Sequence, residues 1–248
     1  MSAPQQPRVR SARYGRIAGV YNFVARVVHG DVGTRAQRSL LSLVDAECRV
    51  LNVGCGPLPF NEELAGAARE ATFVDIAPEM VAITERLVRR RFPDGPHRFV
   101  SSDVMDLPDE PTYDRVFACF MLQTFDWDDA RRVLARLAGL VAPGGLLCIA
   151  DEIATDRPWA RPFQAVGRWV EHGLHHLVVD HPMHPIHDLG AALTELGWSP
   201  VHQRRLFGGS ILAAAYQKRE AARPGGGKEP TDGPANEGSN GAEFRGSR

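Results

Sequence analysis

The chain is predicted to fold as a doubly wound α/β domain with a mostly parallel sheet. Three observations carry that prediction. Short apolar runs of strand length alternate with segments of helical period. The first run ends in a tight turn, Gly54-Cys55-Gly56, before a helix-like stretch. Two later runs close on acids, Asp75 and Asp103.

In order, "CRVLNVGCG" reads as a first strand and "FNEELAGAAR" as a helix. "EATFVDIA" is a second strand, and "PEMVAITERLVRRRF" a helix with apolar residues at Met80, Val81, Ile83, Leu87 and Val88. "HRFVSSDV" gives a third strand, "YDRVFACFML" a fourth, "DDARRVLARLAGLV" a helix and "GLLCIADEI" a fifth strand. Strands separated by helices imply right-handed crossovers and hence a parallel sheet covered on both faces.

The 248 residues suffice for one large domain, and 44% apolar with 24% charged residues is ordinary globular composition. Twenty-nine basic residues face thirty acidic ones, for a net charge of −1. That balance argues against a nucleic-acid-coating protein. The four cysteines, Cys48, Cys55, Cys119 and Cys148, form no C-x-x-C pair, so a disulfide framework is not expected and a reducing interior suits the chain. No stretch has signal-peptide or membrane-span character, and a soluble, cytoplasmic protein is the expectation. Residues 1–12 and 220–248 are polar and rich in Pro or Gly, and are expected to be disordered. The domain should occupy 13–219, with a cap inserted at about 155–188.

In open α/β sheets ligands bind beyond the carboxyl ends of the strands. Gly54 and Gly56 stand at such an end, where missing side chains let a ligand approach the backbone. Asp75 follows 21 residues after Gly54, where a carboxylate can accept both hydroxyls of a ribose. Asp103 closes the next strand, placed for the amino edge of an adenine. Either acid alone reads equally as a cap or turn residue; together, in order, they describe an adenosine pocket. A dinucleotide fold wants a third glycine, and Pro59 stands at that position.

"VLNVGCGPLP", "FVDIAPEMV", "SSDVMDLP" and "LARLAGLVAPGGLLCIADE" resemble, in this order and spacing, the motifs of class I S-adenosylmethionine-dependent methyltransferases. The resemblance covers most of residues 14–218. It implies a Rossmann-like, seven-stranded sheet with a small helical cap, S-adenosyl-L-methionine as cofactor, and a small-molecule acceptor. By it, Asn52, Gly54, Cys55, Gly56, Asp75, Ile76, Met80, Asp103, Val104, Cys119 and Phe120 would line the cofactor. Within the class, "RYGRIAGVYNFVARVV" resembles the N-terminal segment of ubiquinone/menaquinone biosynthesis C-methyltransferases, which implies that Tyr14 and Tyr21 cover the methionine end. The same tyrosines would equally pack an amphipathic helix on the sheet.

The chain departs from the class at Asn52, where an acid is usual two residues before the first glycine. A weaker cofactor site, chemistry other than methyl transfer, or a non-catalytic binding protein are the readings this opens. A nucleotide-binding oxidoreductase is a further alternative. In "ACFMLQTFDW", Gln123 and Trp127 are expected nearer the acceptor, and Cys119 is read as packing rather than as a nucleophile because no base neighbours it. Six histidines lie in 172–187, and His172 and His176 are spaced i, i+4. They are open to three readings: a metal pair, a histidine-rich lid, or an acceptor-facing base. With no H-E-x-x-H and prolines at 182 and 185, no metal set is assigned. Glu152 is a second candidate base. Trp159, Phe163 and Trp169 add aromatic bulk suited to a lipophilic, quinone-like acceptor, or simply to packing. The basic run "RLVRRRF", Arg86 to Phe92, could touch phosphates or a membrane surface, or simply form a solvated helix end where cations suit the helix dipole. Oligomeric state is not legible.

Overall fold

The structure is a computed structural model that describes residues 32–178 and 186–219, the side chains of 170–178 excepted. The predictions for Tyr14, Tyr21 and the two terminal segments lie outside these residues, as do the side chains of His172 and His176. Helix α1 spans Val32–Leu41, followed by β1 Arg49–Val53, α2 Phe60–Ala67, β2 Glu70–Asp75, α3 Pro78–Arg91 and β3 Arg98–Ser101. Then come β4 Tyr113–Cys119, α4 Trp127–Gly139, β5 Val141–Glu152, α5 Arg161–Val178, α6 Leu189–Glu195, β6 Trp198–Leu206 and β7 Ile211–Lys218. The seven strands lie in the order β3-β2-β1-β4-β5-β7-β6. All pairs from β3 to β5 are parallel, and β7 runs antiparallel between β5 and β6.

The central strands β1, β2, β4, β5 and β7 are largely apolar because both faces of the sheet are covered there, whereas the edge strands β3 and β6 carry exposed polar residues. Alternate residues supply alternate cores. Leu51, Val53, Val116, Ala118, Leu147 and Ile149 meet Val133, Leu134 and Leu137 of α4 and Leu189, Ala192 and Leu193 of α6. Val50, Phe73, Phe117, Cys148 and Ala150 meet Ala36 and Leu40 of α1, Phe60 and Leu64 of α2 and Val88 of α3. Asp126 caps α4 by accepting from Asp129 N, and Asp188 caps α6 by accepting from Ala191 N.

Three local features differ from the sequence reading. The fifth strand starts at Val141, before Pro143-Gly144-Gly145 rather than after it, and its register against β4 slips between Tyr113 and Arg115 to absorb them. Arg89 near the end of α3 donates to the carbonyls of Pro93, Gly95 and His97, so this cation ties down the connection to β3. The cap helix α5 presents Gln164 and Arg168 to the domain, whereas Phe163, Val166 and Trp169 are 71%, 62% and 78% exposed. Phe163 and Trp169 therefore do not wall an enclosed acceptor space, whereas Trp159, at 61% exposure, lines an open cleft with Arg205, Phe207 and Gly208.

Candidate active site

Strand order reverses between β1 and β4, and the crevice at the carboxyl ends of these strands is the place where such sheets hold ligands. The turn after β1 forms one wall. Gly54 and Gly56 have φ of +64° and +48°, the left-handed region that glycine enters at least cost. A Cβ on Gly54 would stand 3.0 Å from Met121 Cβ and 3.1 Å from its Sδ. A Cβ on Gly56 would meet only Leu58, at 4.0 Å. Met121 thus already lies against the first glycine, and the second faces open space.

The turn is held from behind by a residue the sequence reading passed over. Asn61, fully buried in the first turn of α2, donates through Nδ2 to the carbonyls of Cys55 at 3.0 Å and Gly56 at 2.7 Å. Thr84 of α3 donates to the same Gly56 carbonyl at 2.6 Å. Asn61 Oδ1 accepts from Asn52 Nδ2 at 2.8 Å. Asn52, 3% exposed, therefore looks into α2, where a paired neutral amide is far cheaper to bury than a carboxylate.

Asp75 ends β2. Its Oδ2 accepts from Gly56 N at 3.1 Å and its Oδ1 from Ala77 N at 3.0 Å, which ties the glycine turn to the next strand tip. Burial raises its pKa, and the amides of Ala77, Gly56 and Ile76 oppose that rise. With three amides on about four acceptor sites, the carboxylate keeps a further acceptor position. Asp103 lies two residues past β3, where Oδ1 accepts from Met105 N at 3.0 Å and caps a short turn, Val104–Asp106. The tips of β2 and β3 are joined by Ser102 N donating to the Asp75 carbonyl at 3.1 Å. Ile76 is half-buried beside them, while Met80 and Val104 are buried.

At the tip of β4, Phe120 has φ of +55° with its amide on Ala150 O at 2.7 Å. A non-glycine residue in this region stores about 1–3 kcal/mol and marks over-determined, often functional, backbone. Its ring packs on the start of α1, 3.6 Å from where a Gly33 Cβ would stand. Burial drives the Cys55 and Cys119 thiols up to about 12, so neither is a nucleophile at neutral pH.

Beyond β4 and β5 lies a small cavity lined by Gln123, Asp151, Glu152, Arg168, Ile186, His187 and Leu189. Glu152, 9% exposed, accepts from Gln164 Nε2 at 3.0 Å and pairs with Arg168 at 2.7 Å, fastening α5 to the end of β5. Asp151, 1% exposed, accepts from Leu122 N at 3.2 Å and Glu152 N at 2.8 Å. His187 Nε2 lies 2.8 Å from the Phe125 carbonyl, and its ring is 5.0 Å from that of Trp127. A carbonyl only accepts, so Nε2 carries the hydrogen, and the neutral ring has its lone pair on Nδ1.

The structure thus gathers Gly54, Cys55, Gly56, Asp75, Ile76, Asp103 and Val104 along the ends of β1 to β3. Gln123 and Glu152 stand together beyond β4 and β5. Glu152 is bound up in its ion pair, and the histidine at the cavity is His187, not His172 or His176, whose side chains lie outside the described residues. Asn61, Thr84, Met121 and Asp151 were not singled out from sequence. A polar residue two positions after Pro59 was the one sign of the first.

Residues 50–145 match the family described as Methyltransferase domain. The O-methyltransferase cnsE of Penicillium expansum is 33% identical over 133 residues, 53% of this chain and 47% of that protein. The malonyl-[acyl-carrier protein] O-methyltransferase of Pectobacterium atrosepticum is 29% identical over 140 residues, 55% of this chain and 50% of that protein. The chain spans about half the length of the curated relatives it matches. Among solved structures, the N-methyltransferase NodS of Bradyrhizobium japonicum WM9 in complex with S-adenosyl-L-homocysteine superposes with a TM-score of 0.58 at 19% identity, over 78% of this chain and 88% of that one. Residues 50–145 thus resemble a methyltransferase domain, and the seven-stranded α/β fold is shared with NodS.

Proposed function

We propose that this protein is an S-adenosylmethionine-dependent methyltransferase whose acceptor is a small molecule that gives up a proton, a hydroxyl-bearing aromatic or quinone-like compound. The crevice suits the cofactor: Gly56 leaves open a space that a Cβ would fill, and Asp75 keeps an acceptor position beyond its three backbone amides. Asp75 would hold the ribose, Asp103 with Ile76 and Val104 the adenine, and Gly54 to Gly56 the methionine moiety, under Met121 and Phe120. Cys119 and Met80 lie buried behind that lining, and Asn52 acts through Asn61. When bound, the cofactor supplies an electrophilic methyl group on a positively charged sulfonium.

The chain's own part is to orient, to exclude water and to take a proton. Orientation alone supplies much of the rate of such a displacement. Gln123 offers an amide at the cavity, and the Glu152–Arg168 pair keeps α5 over it. His187 would receive the acceptor's proton at Nδ1, since the Phe125 carbonyl occupies Nε2. That single hydrogen bond carries the reading of a proton-yielding acceptor, and the O-methyltransferase cnsE among the relatives supports it. The narrower likeness to quinone-pathway C-methyltransferases rests on residues 14–21, so carbon or oxygen transfer is decided by experiment.

The test incubates the full chain with a metabolite extract and S-adenosylmethionine carrying an isotopically labelled methyl group, and reads labelled products by mass spectrometry. With the acceptor so found, His187→Asn should lower kcat by about 10²–10⁴-fold, the usual contribution of a general base, with cofactor affinity kept. Turnover unchanged in His187→Asn would overturn the proton-transfer reading. The absence of any labelled product, alongside cofactor binding, would favour a non-catalytic binding protein.

A further inference from the structure

The loop that lies against the glycine turn is held at Met121 by its own Thr124, whose hydroxyl donates to the Met121 carbonyl at 2.6 Å, and at the next residues from the neighbouring strand. Met121, the residue that meets Gly54, is followed by Leu122 and Gln123, whose amides point at the buried carboxylate of Asp151 on the neighbouring strand. The third amide on that carboxylate is the one following it, Glu152 N. Asp151 thus sits where the Met121 contact with the turn and the Gln123 side of the cavity are both set. No cation pairs with it among the described residues. Its polar and titratable neighbours are Glu152 on β5, Cys119 on β4, Gln123 in the loop, Arg168 on α5 and His187 ahead of α6.

We infer that Asp151 is a positioning residue: its ionised carboxylate grips the backbone of residues 122–123 and so fixes Met121 over the cofactor turn and Gln123 at the acceptor cavity. The inference rests on the reading of the Gly54–Gly56 turn as the cofactor seat. A carboxylate has lone pairs for all three amides. A carboxylic acid keeps acceptor sites for them but loses its charge, so the three bonds weaken from charge-assisted to neutral. Burial, helped by the nearby Glu152 charge, lifts the Asp151 pKa to about 7 against the pull of these amides, so the grip tightens and slackens across neutral pH. Asparagine is the neutral mimic, with one acceptor and one donor.

The experiment is titration of S-adenosylhomocysteine into the full chain between pH 6 and 8.5, with Asp151→Asn and His187→Gln beside it. Wild-type affinity should weaken by about tenfold from pH 8.5 to 6, the loss expected when a hydrogen bond to a charged acceptor becomes one to a neutral acceptor. Asp151→Asn should bind about tenfold more weakly than wild type at pH 8.5 and show no step. His187→Gln should keep the step, which separates it from histidine titration. A step of wild-type size in Asp151→Asn, or wild-type affinity in that variant at high pH, would overturn the inference. Should the variant fail to fold, the ¹⁵N–¹H resonance of Leu122 in the wild-type chain should shift with a midpoint near 7, and a flat response would overturn it too. An Asp75→Ala variant that binds unchanged would sink the cofactor-seat reading instead, and the Leu122 titration then decides whether Asp151 grips the loop.

Discussion

Asn61→Leu is the sharpest probe of how the turn is built. Leucine keeps the volume of a fully buried side chain and removes its hydrogen bonds. Asn52 Nδ2 and the Cys55 carbonyl are then left without partners, whereas the Gly56 carbonyl keeps the Thr84 hydroxyl. Each stranded group costs about 1–3 kcal/mol, so about 3 kcal/mol is expected for the two. For a domain of this size that lowers Tm by roughly 6–12 °C. The cycle is completed by Asn52→Leu, which strands only Asn61 Oδ1, and by the double variant, which strands only the Cys55 carbonyl. If the amides act as one unit, the double variant costs about 1.5 kcal/mol, near either stranded group alone and well below the sum of the single losses. The assay is chemical or thermal unfolding of all four proteins, with S-adenosylhomocysteine affinity measured in parallel and expected to fall with the turn. Losses that add to within about 0.5 kcal/mol would refute the coupled network.

The two glycines should respond differently to alanine. Both pay the left-handed penalty of about 1–2 kcal/mol, but Gly54→Ala also presses on Met121, so its Tm should fall further. Gly56→Ala meets only Leu58, and its added methyl should show chiefly as lost cofactor affinity. Asp151 gives a stability trend opposite to its role in binding. An acid whose folded pKa is raised costs nothing below its unfolded value near 4, and its penalty grows as pH rises to about 7 and then stays. Over that window the wild type should lose about 4 kcal/mol relative to Asp151→Asn, at 1.36 kcal/mol per pKa unit, with about 3 kcal/mol of it falling between pH 5 and 8. Urea unfolding of both proteins at pH 5 and 8 measures it, and parallel curves would contradict the buried acid.

The strand and helix order was legible because both faces of a parallel sheet are covered, so its strands stand out as apolar runs between amphipathic segments. Gly54, Gly56 and Asp75 were legible because chain order alone puts them on neighbouring strand tips. Asn61 was not, since a polar residue early in a helix reads as solvated until the turn it supports is seen. Asp151 hid inside an apolar strand, one position from Glu152. The more conspicuous of the two, Glu152, is fastened by Arg168 and Gln164 to the cap. The aromatic residues of 159–169 misled for a physical reason: α5 spends its polar side on Glu152, Ile153 and Thr155, which leaves its rings outward. The missing acid at position 52 also resolves into local chemistry, because Asn52 serves Asn61 and the turn's shape rather than a ligand's charge.

Calorimetric titration of S-adenosylhomocysteine into the full chain and into Asp75→Ala measures most directly whether this crevice is the cofactor's seat. Wild type should bind, and the variant should lose about 10–100-fold in affinity, the equivalent of 1–3 kcal/mol for stranded hydrogen-bonding groups. Equal affinity in the two proteins would contradict it.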